Sequence, residues 1–243
     1  MISSAMIVLG TVNSMATFMA FVNGTTASYH IFNTETFRDC IRGKQITFLG
    51  PSYMRDLFRT AVDLLHGINT EDVTTYPHYT LPTINSTVSG PGFDKIRFFR
   101  VNGFAKDWNV TLQALNFSEN AIMLADNFHW DVQKILPEHG NLTVSEVSEW
   151  YFGKLKVFLD LCKEHNVTLI WMSQMSLFHV AYDSTVPIYY RPMQDRILSY
   201  LNETILLLRE YNIPFIDVYH MTRNCITDKK VRQRWKDEKV CST

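Results

Sequence analysis

Four polar signals fall in order along the chain, each just after an apolar, β-prone run. Ser52 follows residues 45–49, and Gly103 follows residues 96–101. Asn127 follows residues 121–125, and Asp217-Val218-Tyr219-His220 closes the run at 214–218. Serine, glycine, asparagine and Asp-x-x-His are the parts of an acyl-transfer site. The serine attacks a carbonyl, the histidine takes its proton and the aspartate orients the histidine. The backbone N–H of Ser52, the N–H of Gly103 and the side-chain amide of Asn127 are candidates to hold the oxyanion.

These residues need elements to position them. Residues 45–49 read as a strand and Gly50-Pro51-Ser52 as a sharp break. Met54, Leu57, Phe58, Ala61, Val62 and Leu65 then recur at helical spacing, with Gly67 as a C-terminal stop. A strand, a Gly-x-Ser corner and a helix would lift the Ser52 hydroxyl to the carboxyl edge of a sheet. There it would lie beside free N–H groups at the helix start. The alternative is that Ser52 only caps that helix.

Further strands are expected at 96–101, 121–125, 167–172 and 214–218, and long helices at 144–164 and 194–210. The 144–164 helix should bury Val147, Tyr151, Leu155, Phe158, Leu159 and Cys162. The other should bury Ile197, Leu198, Leu201, Ile205 and Leu208. This alternation predicts an α/β fold, a mainly parallel five-stranded sheet covered by helices on both faces. Ligands of such sheets bind beyond the carboxyl ends of the strands. Residues 69–94 and 173–192 read as long loops around that rim.

At 243 residues and 46% hydrophobic content, the chain can bury a full core. We assign residues 38–243 to a single domain, preceded by a lead-in at 1–37. The net charge of −1 gives no argument for nucleic acid as a partner. Residues 1–22 are uncharged and fairly apolar, which reads as signal-like or as a weak anchor, the sole expected link to a membrane. Asn13 and Ser14 interrupt it, against a stable membrane span. Seven of the 15 asparagines, at 23, 85, 109, 116, 141, 166 and 202, begin Asn-x-Ser/Thr sequons. Chance would give roughly two. The excess predicts an N-glycosylated protein of the secretory lumen or the cell exterior. Cys40, Cys162, Cys225 and Cys241 would allow two disulfides there, and Cys225 with Cys241 is the pairing we favour. Their spacing fits no zinc site, and neither a metal nor a cofactor is expected.

Several segments resemble the SGNH/GDSL hydrolases, and within them the PC-esterase branch. That branch includes neurexophilin-and-PC-esterase-like proteins and glycan O-acyl-modifying enzymes. Cys40, Gly43-Lys44, the strand ITFLG, Ser52 and Arg55 resemble the family's first block. AIMLADNFHWD resembles its third block, and IPFIDVYHMT its last strand and following loop. The resemblance covers about residues 38–225. It implies a three-layer α/β/α, flavodoxin-like domain whose substrate is an acylated glycan or glycoconjugate. It brings in Arg55 and His129 as candidate substrate contacts. Arg55 is otherwise a solvated helix residue, and His129 half of a packed pair with Trp130.

The departures from the family pattern are specific. The family's Gly-Asp-Ser is Gly50-Pro51-Ser52 here, so a carboxylate is lost. Asp126 competes with Asn127 for the family's asparagine position. The family's later Asp-x-x-His would correspond to Asp228-Lys229-Lys230-Val231, and no histidine follows His220. A serine-dependent acyl ester hydrolase or transferase is the first expectation. A catalytically inactive module that binds a glycan or a protein is the rival, and a structural secreted glycoprotein is the third reading.

Overall fold

The computed structural model describes residues 10–12, 15–19, 29–32, 34–66, 86–90, 93–101, 103, 105, 107–126, 144–173 and 191–218. Three short strands come first: β1 (Gly10–Val12), β2 (Met15–Met19) and β3 (Tyr29–Phe32). They form an antiparallel sheet of their own within the lead-in segment. Helix α1 (Thr34–Ile41) then leads to β4 (Gln45–Gly50) and α2 (Ser52–His66). A hairpin of β5 (Ser86–Gly90) and β6 (Phe93–Arg100) follows, then α3 (Trp108–Asn116) and β7 (Ile122–Ala125). Helix α4 (Val144–Glu164), β8 (Thr168–Met172), α5 (Arg191–Glu210) and β9 (Phe215–Ile216) complete the described chain.

The main sheet has the order β5-β6-β4-β7-β8-β9. All neighbours pair in parallel except β5 with β6. The five expected strands are therefore present as one parallel sheet. Numbered along the chain, they lie in the order 2-1-3-4-5. A sixth strand, β5, lies antiparallel at one edge, within the stretch expected to be a long loop.

Helices cover both faces. Met54, Phe58, Ala61 and Leu65 of α2 pack with Phe37 and Ile41 of α1 on one face, against Phe48, Ile96 and Phe98. Phe58 stacks on Phe98 at 5.9 Å and meets Phe48 edge-on at 6.0 Å. Arg38 of α1 donates from Nε to the Leu65 carbonyl at 2.8 Å, closing the last turn of α2. On the opposite face, α3, α4 and α5 pack against Leu49, Phe99, Ala125 and Trp171. The α4 stripe is the expected one: Val147, Tyr151, Leu155, Phe158, Leu159 and Cys162 are all buried. Of the expected α5 stripe, Leu201 and Leu208 are buried and Ile205 is partly covered, while the side chains of Ile197 and Leu198 lie outside what is described. Tyr200, Thr204 and Leu207 are buried beside them.

Asparagines mark the amino edge of the sheet. Asn120, Asn166 and Asn212 have φ of 59°, 54° and 55°. Each sits where the chain turns from a helix into β7, β8 or β9. After α4, Val167 N–H donates to the Cys162 carbonyl at 2.8 Å and Asn166 N–H to Lys163 at 3.2 Å. After α5, Ile213 N–H donates to Leu208 at 2.8 Å and Asn212 N–H to Arg209 at 3.1 Å. Both are Schellman caps with asparagine in the left-handed position, which its short side chain tolerates.

Cys162 is a buried free thiol. That overturns the arrangement of two disulfides, since four cysteines cannot form two without it. Burial pushes its thiol pKa well up, so the neutral S–H form is favoured. The favoured Cys225–Cys241 pair lies outside the described residues. Among the described residues, no helix is long and apolar enough to cross a membrane.

Candidate functional site

The order 2-1-3-4-5 reverses direction at β4. The chain leaves β4 for β6 on one side and returns to β7 on the other. Open sheets of this kind bind ligands at such a switch point, here beyond the carboxyl ends of β4 and β7. The Gly50-Pro51-Ser52 corner is what β4 delivers there.

Gly50 is required by space. A Cβ on it would lie 2.4 Å from Met54 Cγ and 2.7 Å from the Asp126 carbonyl oxygen. Only a glycine lets α2 begin this close to the end of β7. Val101 N–H donates to the Gly50 carbonyl at 3.2 Å, and Asp126 N–H to Leu49 at 3.0 Å. The three strand ends are thereby held in line. Met54 and Arg55 N–H groups both point to the Pro51 carbonyl, at 3.1 and 3.3 Å. Pro51 therefore holds the N-cap position, where its missing N–H costs no helical bond. Ser52 becomes the first helical residue. The reading of Ser52 as the cap is displaced by one. Its N–H and that of Tyr53 occupy helix positions with no intrahelical acceptor, which suits them to an oxyanion. The Ser52 side chain itself is outside what is described.

The other expected residues are placed as follows. Gly103 is buried three residues beyond β6, and its carbonyl accepts the Asp107 N–H at 2.8 Å where α3 begins. Asp126 directly follows β7 and is fully buried beside Gly50. Asp217 is half-buried at the end of β9, and Ser173 Oγ donates to its Oδ1 at 3.5 Å. Arg55 is half-buried in the first turn of α2. Asn127, His129 and His220 lie outside the described residues.

The sheet brings Ser52, Gly103, Asp126 and Asp217 to one edge, but it does not place them side by side. β9 is three strands from β4, a separation of about 14 Å at ordinary strand spacing. Three residues after Asp217 span at most about 10 Å. His220 would need that span and its own side chain to reach the corner.

Two residues at this edge escaped the sequence reading. Ser173, after β8, is 2% exposed, and its N–H donates to Ile216 at 2.8 Å beside its bond to Asp217. Applying the strand-end rule to the fourth strand would have found it. Arg100 is the last residue of β6 and pairs in register with Gly50. Its Nε is buried and has no hydrogen-bond partner among the described residues. Sequence alone offered no sign of that. Among the described residues no cluster of His, Cys, Asp or Glu could hold a metal ion.

No family model matches this sequence, and no curated protein matches it. Solved structures do. A protein from Bacteroides fragilis described as an acylhydrolase shares 11% identity at a TM-score of 0.44, covering 76% of this chain and 74% of its own. A GDSL-like lipase from Bacteroides thetaiotaomicron shares 13% at 0.42, covering 71% and 67%. A GDSL-like lipase from Parabacteroides merdae shares 15% at 0.42, covering 74% and 79%. At these values the likeness assigns no chemistry to this chain.

Proposed function

We propose that this chain is a serine-dependent acyl-ester hydrolase or transferase acting on O-acylated, chiefly acetylated, glycans or glycoconjugates in the secretory pathway. The observation that carries this reading is the position of the Gly50-Pro51-Ser52 corner at the switch point of the sheet, with α2 opening on it. Ser52 Oγ attacks the ester carbonyl and its proton passes to the His220 imidazole. The tetrahedral oxyanion sits against the N–H groups at the start of α2, with Gly103 and Asn127 as further donors. Collapse expels the sugar oxygen, which takes the proton from the imidazolium, and leaves acyl-Ser52. Water, or the hydroxyl of a second sugar, then takes the acyl group and restores Ser52. Asp217 orients His220, and Ser173 holds Asp217. The secretory setting is supported by exposure. The four sequon asparagines within the described residues, Asn109, Asn116, Asn166 and Asn202, all face solvent.

The rival is a catalytically inactive module that binds a glycan or a protein. It draws on Pro51 at a position acidic in the resembled family and on the three-strand distance to Asp217. Labelling with a fluorophosphonate separates the two. The enzyme predicts labelling of the wild type, loss in Ser52→Ala, and loss of ester hydrolysis in His220→Ala. Equal background labelling of wild type and Ser52→Ala supports the rival. Hydrolysis that survives His220→Ala sinks the dyad.

A further inference from the structure

Arg100 ends β6 opposite Gly50, one strand spacing from the corner, or about 4.8 Å. Ile96 and Phe98 of the same strand pack on the α2 face, and alternation puts Arg100 on that face too. Met54, in the first turn of α2, fills the space in front of Gly50 there. That turn carries Arg55 and no acidic residue. Arg100 is half-buried: its Nε is enclosed, with no hydrogen-bond partner among the described residues. A ligand would meet the outer part of the guanidinium, whose charge is costly to bury without an acceptor. Three residues earlier, Arg97 shows the satisfied case. It donates to the Phe117 carbonyl and, at 3.4 Å, to Gln45 Oε1, and it lies 5.6 Å from the Phe117 ring centre.

We infer that Arg100 receives a carboxylate of the substrate, so that the acylated sugar is an acidic one of the uronic-acid class. This rests on the corner being the substrate site, as proposed above. A planar guanidinium fork pairs two N–H groups with the two oxygens of a carboxylate. The net charge of −1 gives no general attraction for anions, so selectivity has to come from local groups.

The test is binding of methyl β-D-glucuronide against methyl β-D-glucoside, measured by titration in low salt on the full chain. Neither ligand carries an acyl ester, so hydrolysis does not enter. The wild type should prefer the glucuronide by about ten- to a hundredfold, the worth of hydrogen bonds to a charged group. Arg100→Gln should bring that ratio to about one. Arg100→Lys, which keeps the charge and loses the fork, should retain only a few-fold preference and serves if the glutamine variant does not fold. Equal binding of both sugars by the wild type, or an undiminished preference in either variant, overturns the inference. A preserved glucuronide preference without fluorophosphonate labelling would remove the Ser52 chemistry and leave Arg100 as a recognition residue.

Discussion

In the amino half of the sheet, Thr47, Ser118, Arg97, Asn120 and Asn166 hydrogen-bond to other parts of the protein. In the carboxyl half, Gly50 offers no side chain and Arg100 leaves a buried nitrogen without an acceptor among the described residues. Thr47 is fully buried and donates to Ser118 Oγ at 2.6 Å, and Ser118 passes its proton to the Ala114 carbonyl at 2.6 Å. Asn166 Nδ2 donates to Asn120 Oδ1 at 2.8 Å, tying the turn before β8 to the turn before β7. The amino end spends these polar groups on closing the fold. At the carboxyl end Ser173 likewise holds Asp217 beside β9, while around the switch point Gly50 keeps backbone in line and Arg100 leaves polar capacity that a ligand would use.

Substitutions can break this contrast, beginning with the largest effect. Gly50→Ala forces a Cβ against the Asp126 carbonyl and Met54, and backbone cannot give way cheaply. It should destabilise by about 3 kcal/mol in urea unfolding and shift the start of α2. Its counterpart is Gly153→Ala, on an exposed position inside α4 with nothing within 4 Å, which should stabilise by about 0.5–1 kcal/mol. If the two glycine variants behave alike, close packing at the corner is not what selects Gly50.

Ser118→Ala strips the buried Thr47 hydroxyl of its acceptor and should cost about 2 kcal/mol, with fluorophosphonate labelling per folded molecule unchanged. Adding Thr47→Val should recover part of that loss. No recovery would mean the pair is not coupled. The two arginines of β6 sharpen the contrast further. Arg97→Met should lose about 1–2 kcal/mol with its carbonyl, amide and ring contacts. Arg100→Met should be neutral or slightly stabilising, since it removes an unsatisfied nitrogen. Equal losses would show that Arg100 is structural.

The smallest effect near neutral pH belongs to Cys162, in the last turn of α4 at the amino edge. Its folded pKa is raised by burial, so the folded state keeps a proton that the unfolded state releases above about pH 8.5. The contribution is fully present below that pH and is lost as pH rises, by at most about 1.4 kcal/mol per unit. Stability measured from pH 8 to 10 should fall, and Cys162→Ala should flatten the fall relative to wild type. An unchanged slope would place the titration elsewhere.

Much of the fold was legible because apolar runs carry their own periods. The α4 stripe from Val147 to Cys162 could be read residue by residue, and so could the five parallel strands. α3 was missed because its nine residues, WNVTLQALN, show only three buried positions, Thr111, Ala114 and Leu115. β5 was missed because Ser86–Gly90, STVSG, is short and polar and becomes a strand only by pairing with β6. The corner was legible from Gly50 and Ser52, since glycine and serine at a strand-to-helix break have few meanings. That Pro51 takes the cap was not, because it depends on which carbonyl Met54 and Arg55 meet. Arg100 was invisible for a similar reason. Arg97 and Arg100 look alike in sequence and differ in what surrounds them.

The most direct measurement maps the fluorophosphonate adduct by mass spectrometry after trypsin digestion. The account predicts one phosphonylated serine, Ser52, in the peptide running from Gln45 to Arg55, QITFLGPSYMR. A wild-type protein that is folded and unlabelled, or labelled at a serine other than Ser52, would contradict it.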